Sequence, residues 1–388
     1  MKYYSDTNVF DAAIQRIERL FHEFENVVVA FSGGKDSTII FELCLIVARK
    51  LNRLPLTVMF IDQEAEWAST IEMVEYVMYH KDVTPKWYQM PIVLNNATSD
   101  KENYLHCWNP KEKELWLRDE NPISIKENIY DCKDFLILFD AIMKIEYPDK
   151  PACLVGGIRT DESPARMQGL TSGLTYKDIT WGKQLKTGRV KHYTFYPIYD
   201  WGFSDVWAAI FKNEWKYSTH YDSLHQLGIS RREMRVSNVH HETAINSIWI
   251  MQEIEPKLYS KLTSRLKGID MADKFGAENY YVRNLPTMFS NWRQYRDHLL
   301  EKLITKKEWI YIFTTVFANH DQHYEVFKDF LVKLHVQTIL SNDWELTKLK
   351  NFMIKPLPDL QQRLDRPKLI AGMAYDKNKY KEIKNAQT

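Results

Sequence analysis

Apolar residues at Val9, Phe10, Ala13, Ile14, Ile17, Leu20 and Phe21 recur at the spacing of one helix face, which predicts an amphipathic helix over residues 8–22. The pattern then changes. Val27-Val28-Val29-Ala30-Phe31 is an unbroken β-prone run of the kind found in a strand buried on both faces, and it stops at Ser32-Gly33-Gly34. From Thr38 a helical period resumes through Ile39, Ile40, Leu43, Cys44, Val47, Ala48 and Leu51. Leu56 to Ile61 predicts a second strand ending at Asp62, followed by a helical stretch through Ile71, Val74, Tyr76, Val77 and Met78. Strand–helix–strand order implies a right-handed parallel unit. Lys86 to Met90, Cys153 to Ile158 and Thr194 to Ile198 are further strand candidates. The fold class expected is α/β: an open, mainly parallel twisted sheet flanked by helices.

Residues 95–150 contain an expected insertion, its first part, to residue 134, mixing Trp108, Pro110 and Trp116 with charges in short helices and loops. Beyond about Arg231 glycines nearly vanish, and helices are expected over Trp292 to Leu303, Trp309 to Phe317 and Tyr324 to Val336. This divides the chain into an α/β domain over residues 1–235 and a mainly helical region over 236–388, whose tail from Asp376 reads as solvated and frayed.

Composition narrows the classes. The 388 residues are 45% hydrophobic and 13% aromatic, which argues for a folded chain with a proper core. A formal charge of +1 gives no global field toward nucleic acid or an anionic membrane, so any polyanion site must be local. Cys44, Cys107, Cys132 and Cys153 include no CxxC pair, and no iron–sulfur cluster is expected. Charges break every apolar run at the N-terminus, and no stretch reaches the roughly 18 apolar residues of a membrane span, so the expected location is cytoplasmic, without membrane contact.

The candidate chemistry begins at Ser32-Gly33-Gly34-Lys35-Asp36-Ser37, where the buried strand hands over to a helix. Backbone N–H groups at a helix N-terminus attract anions, and glycines let phosphate oxygens approach the backbone. Ser32 and Ser37 add hydroxyls and Lys35 adds charge. The spacing is not that of GxxxxGK[ST]. Further on, Arg159 and Arg166 offer planar forks to phosphate or sulfate oxygens, with Glu162 placed to hold an arginine or ligate magnesium. Trp201, Asp205 and Trp207 fit packing as well as a site. His220, His225, His240 and His241 show no convincing metal-ligand spacing.

These motifs resemble the adenine nucleotide alpha hydrolase (PP-loop ATP pyrophosphatase) superfamily, whose loop reads SGGxDS, and within it the phosphoadenosine phosphosulfate (PAPS) reductase branch. Phe60-Ile61-Asp62 is similar to the end of that branch's second strand, where backbone and an acidic residue meet adenosine. Gly156-Gly157-Ile158-Arg159-Thr160-Asp161-Glu162-Ser163-Pro164-Ala165-Arg166 matches GxRxxES..R, and Tyr196 to Trp207 matches P-I-x-x-W-x-x-x-D-V-W. The resemblance spans roughly residues 26–235 and implies a HUP-type fold, ATP or a related adenylate, and Mg²⁺. By it, Lys35, Asp36, Arg159 and Arg166 are catalytic; Ser32, Gly33, Gly34, Ser37, Phe60, Asp62, Gly157, Glu162 and Ser163 bind the nucleotide; and Asp36 with Glu162 holds the metal.

The chain departs from the branch where a reductase carries its C-terminal cysteine. Here it reads Ser230-Arg231-Arg232-Glu233-Met234-Arg235. The expected activity is therefore ATP α–β hydrolysis or adenylyl transfer to an unknown acceptor. A core without the reductase's C-terminal cysteine, joined to a helical extension, is similar to DUF3440-containing proteins of the immunoglobulin-binding regulator A type, found in enterobacteria and prophages. That likeness implies the alternative of a nucleotide-sensing co-activator with a ParB-like partner. Arg231, Arg232 and Arg235 are a candidate nucleic-acid contact. A third alternative is a sulfonucleotide reductase using Cys153 or Cys107.

Overall fold

A computed structural model describes residues 6–95, 104–162, 164–171, 175–185, 188–231, 234–236, 248–266, 285–323, 328–340, 343–354 and 370–386. Two compact units emerge: Met1–Asn95 with Tyr104–Leu266, and Asn96–Asn103 with Lys267–Thr388.

In the first unit, α1 (Val9–Glu23) is capped by the Asn8 side chain, which accepts from the Asp11 N–H. It buries Ala13, Ile17, Leu20 and Phe21. β1 (Asn26–Ala30) has Val27, Val28 and Val29 buried, as its apolar run requires. α2 (Lys35–Lys50), β2 (Leu56–Ile61), α3 (Ala68–Met78) and β3 (Val83–Tyr88) follow. A hairpin of β4 (Ile92–Asn95) and β5 (Tyr104–Cys107), then α4 (Phe135–Glu146), lead to β6 (Ala152–Val155). Beyond it come α5 (Pro164–Thr171), β7 (Thr175–Tyr176), β8 (Ile179–Gln184), β9 (Tyr193–Phe195), α6 (Phe203–Lys212) and α7 (His220–Gln226). The unit closes with α8 (Ile248–Ile254) and α9 (Pro256–Arg265).

The seven-stranded sheet has the order β3-β2-β1-β6-β9-β8-β7. β3, β2, β1, β6 and β9 are parallel, while β8 and β7 complete the edge antiparallel. From β1 the chain winds outward through β2 and β3, then returns to place β6 on the other side of β1. That reversal opens a crevice beyond the carboxyl ends of β1 and β6, where open α/β sheets bind ligands.

The second unit is helical: Trp292–Lys302, Lys307–His323, Lys328–Leu340, Thr347–Ile354 and Lys377–Asn385. Ile312, Phe313, Val316, Phe317, Leu331, Val336, Ile339 and Leu349 form its core. The tail differs from the frayed end its composition predicts. Asp376 accepts from the Asn378 and Lys379 N–H groups and caps a final solvated helix.

Candidate nucleotide site

The loop after β1 turns on Gly33 at φ +71°, a left-handed conformation that glycine adopts without steric cost. A Cβ there would also sit 2.6 Å from Thr70 Cγ2. Gly34 is the N-cap of α2. Ser37 Oγ donates to the Gly34 carbonyl at 2.9 Å and accepts from the Ser32 N–H at 3.2 Å, with Ser32 Oγ 3.1 Å away. The serines thus close the turn around the helix start.

Across the crevice, β6 ends and Gly156-Gly157-Ile158-Arg159 begins. A Cβ on Gly157 would lie 2.7 Å from the Asp36 carbonyl carbon and 3.0 Å from the Ser37 nitrogen, so this loop rests on the first turn of α2 backbone to backbone. The contact delivers Arg159 onto Asp36: Nε donates to Oδ1 at 2.6 Å, while Lys35 Nζ pairs with Oδ2 at 3.0 Å. Arg159 is buried, and its Nη1 reaches the Trp201 carbonyl at 3.4 Å. Glu162 Oε1 lies 4.0 Å from Arg159 Nη2, and Glu162 Oε2 pairs with Arg166. Lys35, Asp36, Arg159, Glu162 and Arg166 therefore form one chain of alternating charge at the mouth of the sheet.

Other expected residues are placed differently. Phe60 is buried edge-on against Trp87. Asp62 is fully buried, and its carboxylate accepts from the Glu64 N–H, Trp87 Nε1, Gln89 Nε2 and Arg118, which fixes the loop after β2. Ser163 lies outside the described residues. Trp201 and Asp205 are structural: Trp201 Nε1 donates to the Val9 carbonyl, and the Asp205 carboxylate accepts from the Gly202 N–H at the start of α6. Arg16 binds Asp200 through both guanidinium nitrogens at 2.8 and 2.7 Å, tying α1 to the loop behind Arg159.

Three participants were not among the expected site residues. Tyr221 is buried, and its hydroxyl accepts from the Lys35 N–H at 3.1 Å, where a helix start would otherwise meet a ligand. Burial pushes this phenol up, so it stays protonated. Glu64, fully buried at φ +63°, pairs with Arg265 of α9 at 2.8 Å and accepts from the Trp108 and Leu117 N–H groups. Burial raises its carboxyl while Arg265 pulls the other way. Glu255 caps α3, with both carboxylate oxygens 3.0 Å from the Ala68 nitrogen.

The two carboxylates expected to hold magnesium are engaged by cations: Asp36 by Lys35 and Arg159, Glu162 by Arg166. Among the described residues no cluster of three or more His, Cys, Asp or Glu side chains is placed to hold a metal ion. The residues present do not build a magnesium cage by themselves. Cys44, Cys107 and Cys153 are buried, and burial pushes each thiol up. Arg231 and Arg235 are exposed, Arg231 over the Phe203 ring, whereas Arg232, His240 and His241 lie outside the described residues. No helix among the described residues is long and apolar enough to cross a membrane.

The family model of the phosphoadenosine phosphosulfate reductase domain matches residues 26–231, more than half of the chain. The chain belongs to this family. Within the PAPS reductase domain fall the glycine loop, the Arg159–Asp36 pair and the Tyr221 cap. A second model, a domain of unknown function (DUF3440), matches residues 228–346 and takes in Glu255 and Arg265. The uncharacterized protein YbdN of Escherichia coli is 26% identical over 319 residues, covering 77% of this chain and 76% of that protein. The uncharacterized protein MJ0973 of Methanocaldococcus jannaschii is 24% identical over 284 residues, 72% of this chain but only 55% of its own length. Among solved structures, FMN adenylyltransferase of Candida glabrata in complex with FMN and the ATP analogue AMPCPP aligns at TM-score 0.35 and 14% identity, over 57% of this chain and 64% of that one. PAPS reductase of Candida auris in its phosphate complex aligns at TM-score 0.32 and 15% identity, over 58% and 94%.

Proposed function

We propose that the chain is an ATP α–β phosphate hydrolase or adenylyltransferase acting on an acceptor still to be identified. The observation that carries the reading is the docking of the Gly156-Gly157 loop on the first turn of α2, which sets Arg159 beside Lys35 at the sheet's switch point. In this scheme the α2 N-terminus and Lys35 hold the β- and γ-phosphates. An acceptor oxygen, or water, attacks the α-phosphorus; the bond from that phosphorus to the bridging oxygen breaks, and pyrophosphate leaves. Lys35, Arg159 and Arg166 offset the charge gathering on the leaving group, while Asp36 and Glu162 hold the arginines in place. Buried thiols at Cys107 and Cys153 weigh against reductase chemistry, because the thiolate is the reactive form.

A second reading is a nucleotide-sensing co-activator whose helical region meets a ParB-like partner or nucleic acid. One feature favours it: the Tyr221 hydroxyl and a Val236 methyl, 3.4 and 3.0 Å from where a Gly34 Cβ would stand, cover the loop. Pyrophosphate release separates the two. Full-length protein with ATP and magnesium chloride is expected to release pyrophosphate, and Arg159→Ala to weaken triphosphate binding more than adenosine binding. Tight ATP binding without pyrophosphate, across a panel of acceptors, would move the protein to the sensor reading.

A further inference from the structure

Four polar atoms near the glycine loop are buried without a hydrogen-bond partner among the described residues: Ser69 Oγ, Thr70 Oγ1, and His220 Nδ1 and Nε2. Native interiors rarely leave such atoms unpaired, since each costs about 1–3 kcal/mol. Thr70 is fully buried, and His220 is 1% exposed. They gather at one place. The His220 ring packs on Trp67, the N-cap of α3, with centroids 4.1 Å apart. Thr70 lies on the first turn of that helix and meets Gly33, and His220 precedes the Tyr221 that touches the start of α2. The imidazole thus packs at the start of α3, one residue before the tyrosine that touches the start of α2, and both helix starts favour negative charge.

An oxyanion already sits at α3. The half-buried Glu255 carboxylate reaches the Ala68 N–H with both oxygens, and burial raises its pKa while the Ala68 and Ser69 N–H groups lower it. Two oxygens so used leave the hydroxyls and the imidazole unmatched. A tetrahedral group has oxygens to spare for them.

We propose that Ala68, Ser69, Thr70 and His220 form an oxyanion subsite for a phosphate or sulfate group, and that Glu255 fills it until the ligand displaces it. The proposal rests on the nucleotide reading only for the identity of the neighbouring ligand. Burial holds His220 at about 4, hence neutral, and it can donate from one ring nitrogen; an incoming anion would draw that pKa upward. The Arg235 backbone carbonyl lies nearby as an acceptor and acts in the same upward direction.

The test uses inorganic phosphate and sulfate on the full chain, read by calorimetry and by the ¹⁵N resonances of the His220 imidazole. Glu255→Gln removes the competing charge and should tighten binding about tenfold, whereas His220→Phe keeps a ring packed on Trp67, loses the donor and should weaken it about tenfold. Thr70→Val, nearly isosteric, should weaken it in the same direction. Binding that persists with AMPCPP present assigns the subsite to the acceptor; competition assigns it to the nucleotide's own terminal phosphate. Either supports the subsite. Unchanged affinity in both Glu255→Gln and His220→Phe, with no shift of the imidazole resonances, would overturn it. Loss of AMPCPP binding without loss of these effects would count against the nucleotide reading alone.

Discussion

Tyr221→Phe removes one oxygen atom from the cover of the glycine loop. The ring keeps its edge-on packing against Trp207, centroids 5.5 Å apart, and its place 5.2 Å from Lys35 Nζ. What changes is the Lys35 N–H, which loses its acceptor at 3.1 Å in a buried setting. An unsatisfied buried donor costs about 1–3 kcal/mol, so the ligand-free protein should be less stable by that amount. A triphosphate oxygen that takes up the same N–H no longer has to displace the hydroxyl, and most of the loss returns on binding. Affinity for ATP should therefore rise roughly 5- to 100-fold, since about 1.4 kcal/mol is a factor of ten. Thermal melts without ligand and calorimetry with AMPCPP measure the two halves separately, and the signs must be opposite. Lower stability together with equal or weaker affinity would refute the reasoning, because it would mean that the hydroxyl helps to hold the nucleotide.

Gly157→Ala drives a methyl into the backbone of Asp36 and Ser37, which cannot move aside cheaply; a loss of about 1–3 kcal/mol in denaturant titrations, with loss of nucleotide binding, is expected. Arg265→Met leaves Glu64 buried without its counter-charge and should cost about 3–5 kcal/mol by chemical denaturation, part of which returns in the double variant with Glu64→Gln. In the helical unit, His335 is fully buried between His320 at 2.9 Å and Arg296 at 3.5 Å, and burial, His320, Arg296 and Arg293 hold its pKa well below the ordinary value. The folded state keeps it neutral while the unfolded chain takes a proton near about 6.5, so its stabilising effect is complete above that pH and is lost on acidification toward the folded-state pKa. Melts at descending pH should show this slope, and His335→Gln should flatten it.

How much of this was legible depended on distance along the chain. Val27 to Phe31 and the glycines after it announce strand and turn because the determinants are adjacent. β3 lies at Val83–Tyr88 where residues 86–90 were expected, since Thr84, Pro85 and Lys86 are only half-buried and blur the pattern. β7 and β8 were not expected: Thr175, Tyr176 and Gln184 stay partly exposed at the sheet edge, so no apolar run marks them. The site divides the same way. Lys35, Asp36, Arg159, Glu162 and Arg166 were identified from local motifs and are brought together. Tyr221, Glu255 and Arg265 reach partners 186, 187 and 201 residues away, a relation that periodicity does not carry. Asp62 was expected beside adenosine from the family resemblance; its four protein donors come from β3 and from loops whose course the pattern does not reveal.

Having laid β2 along one side of β1, the chain comes back to the other side of that strand at Ala152. The stretch from the end of β3 to the start of β6, which carries the β4–β5 hairpin and α4, is a detour whose two ends are pinned by strands of one sheet. A change of length in that detour leaves the pairing of β1 with β6 in place. The same wiring makes the fold tolerant on one side and tight on the other: a longer detour spares the strand pairing, whereas one added carbon at Gly157 meets the backbone of Asp36 and Ser37.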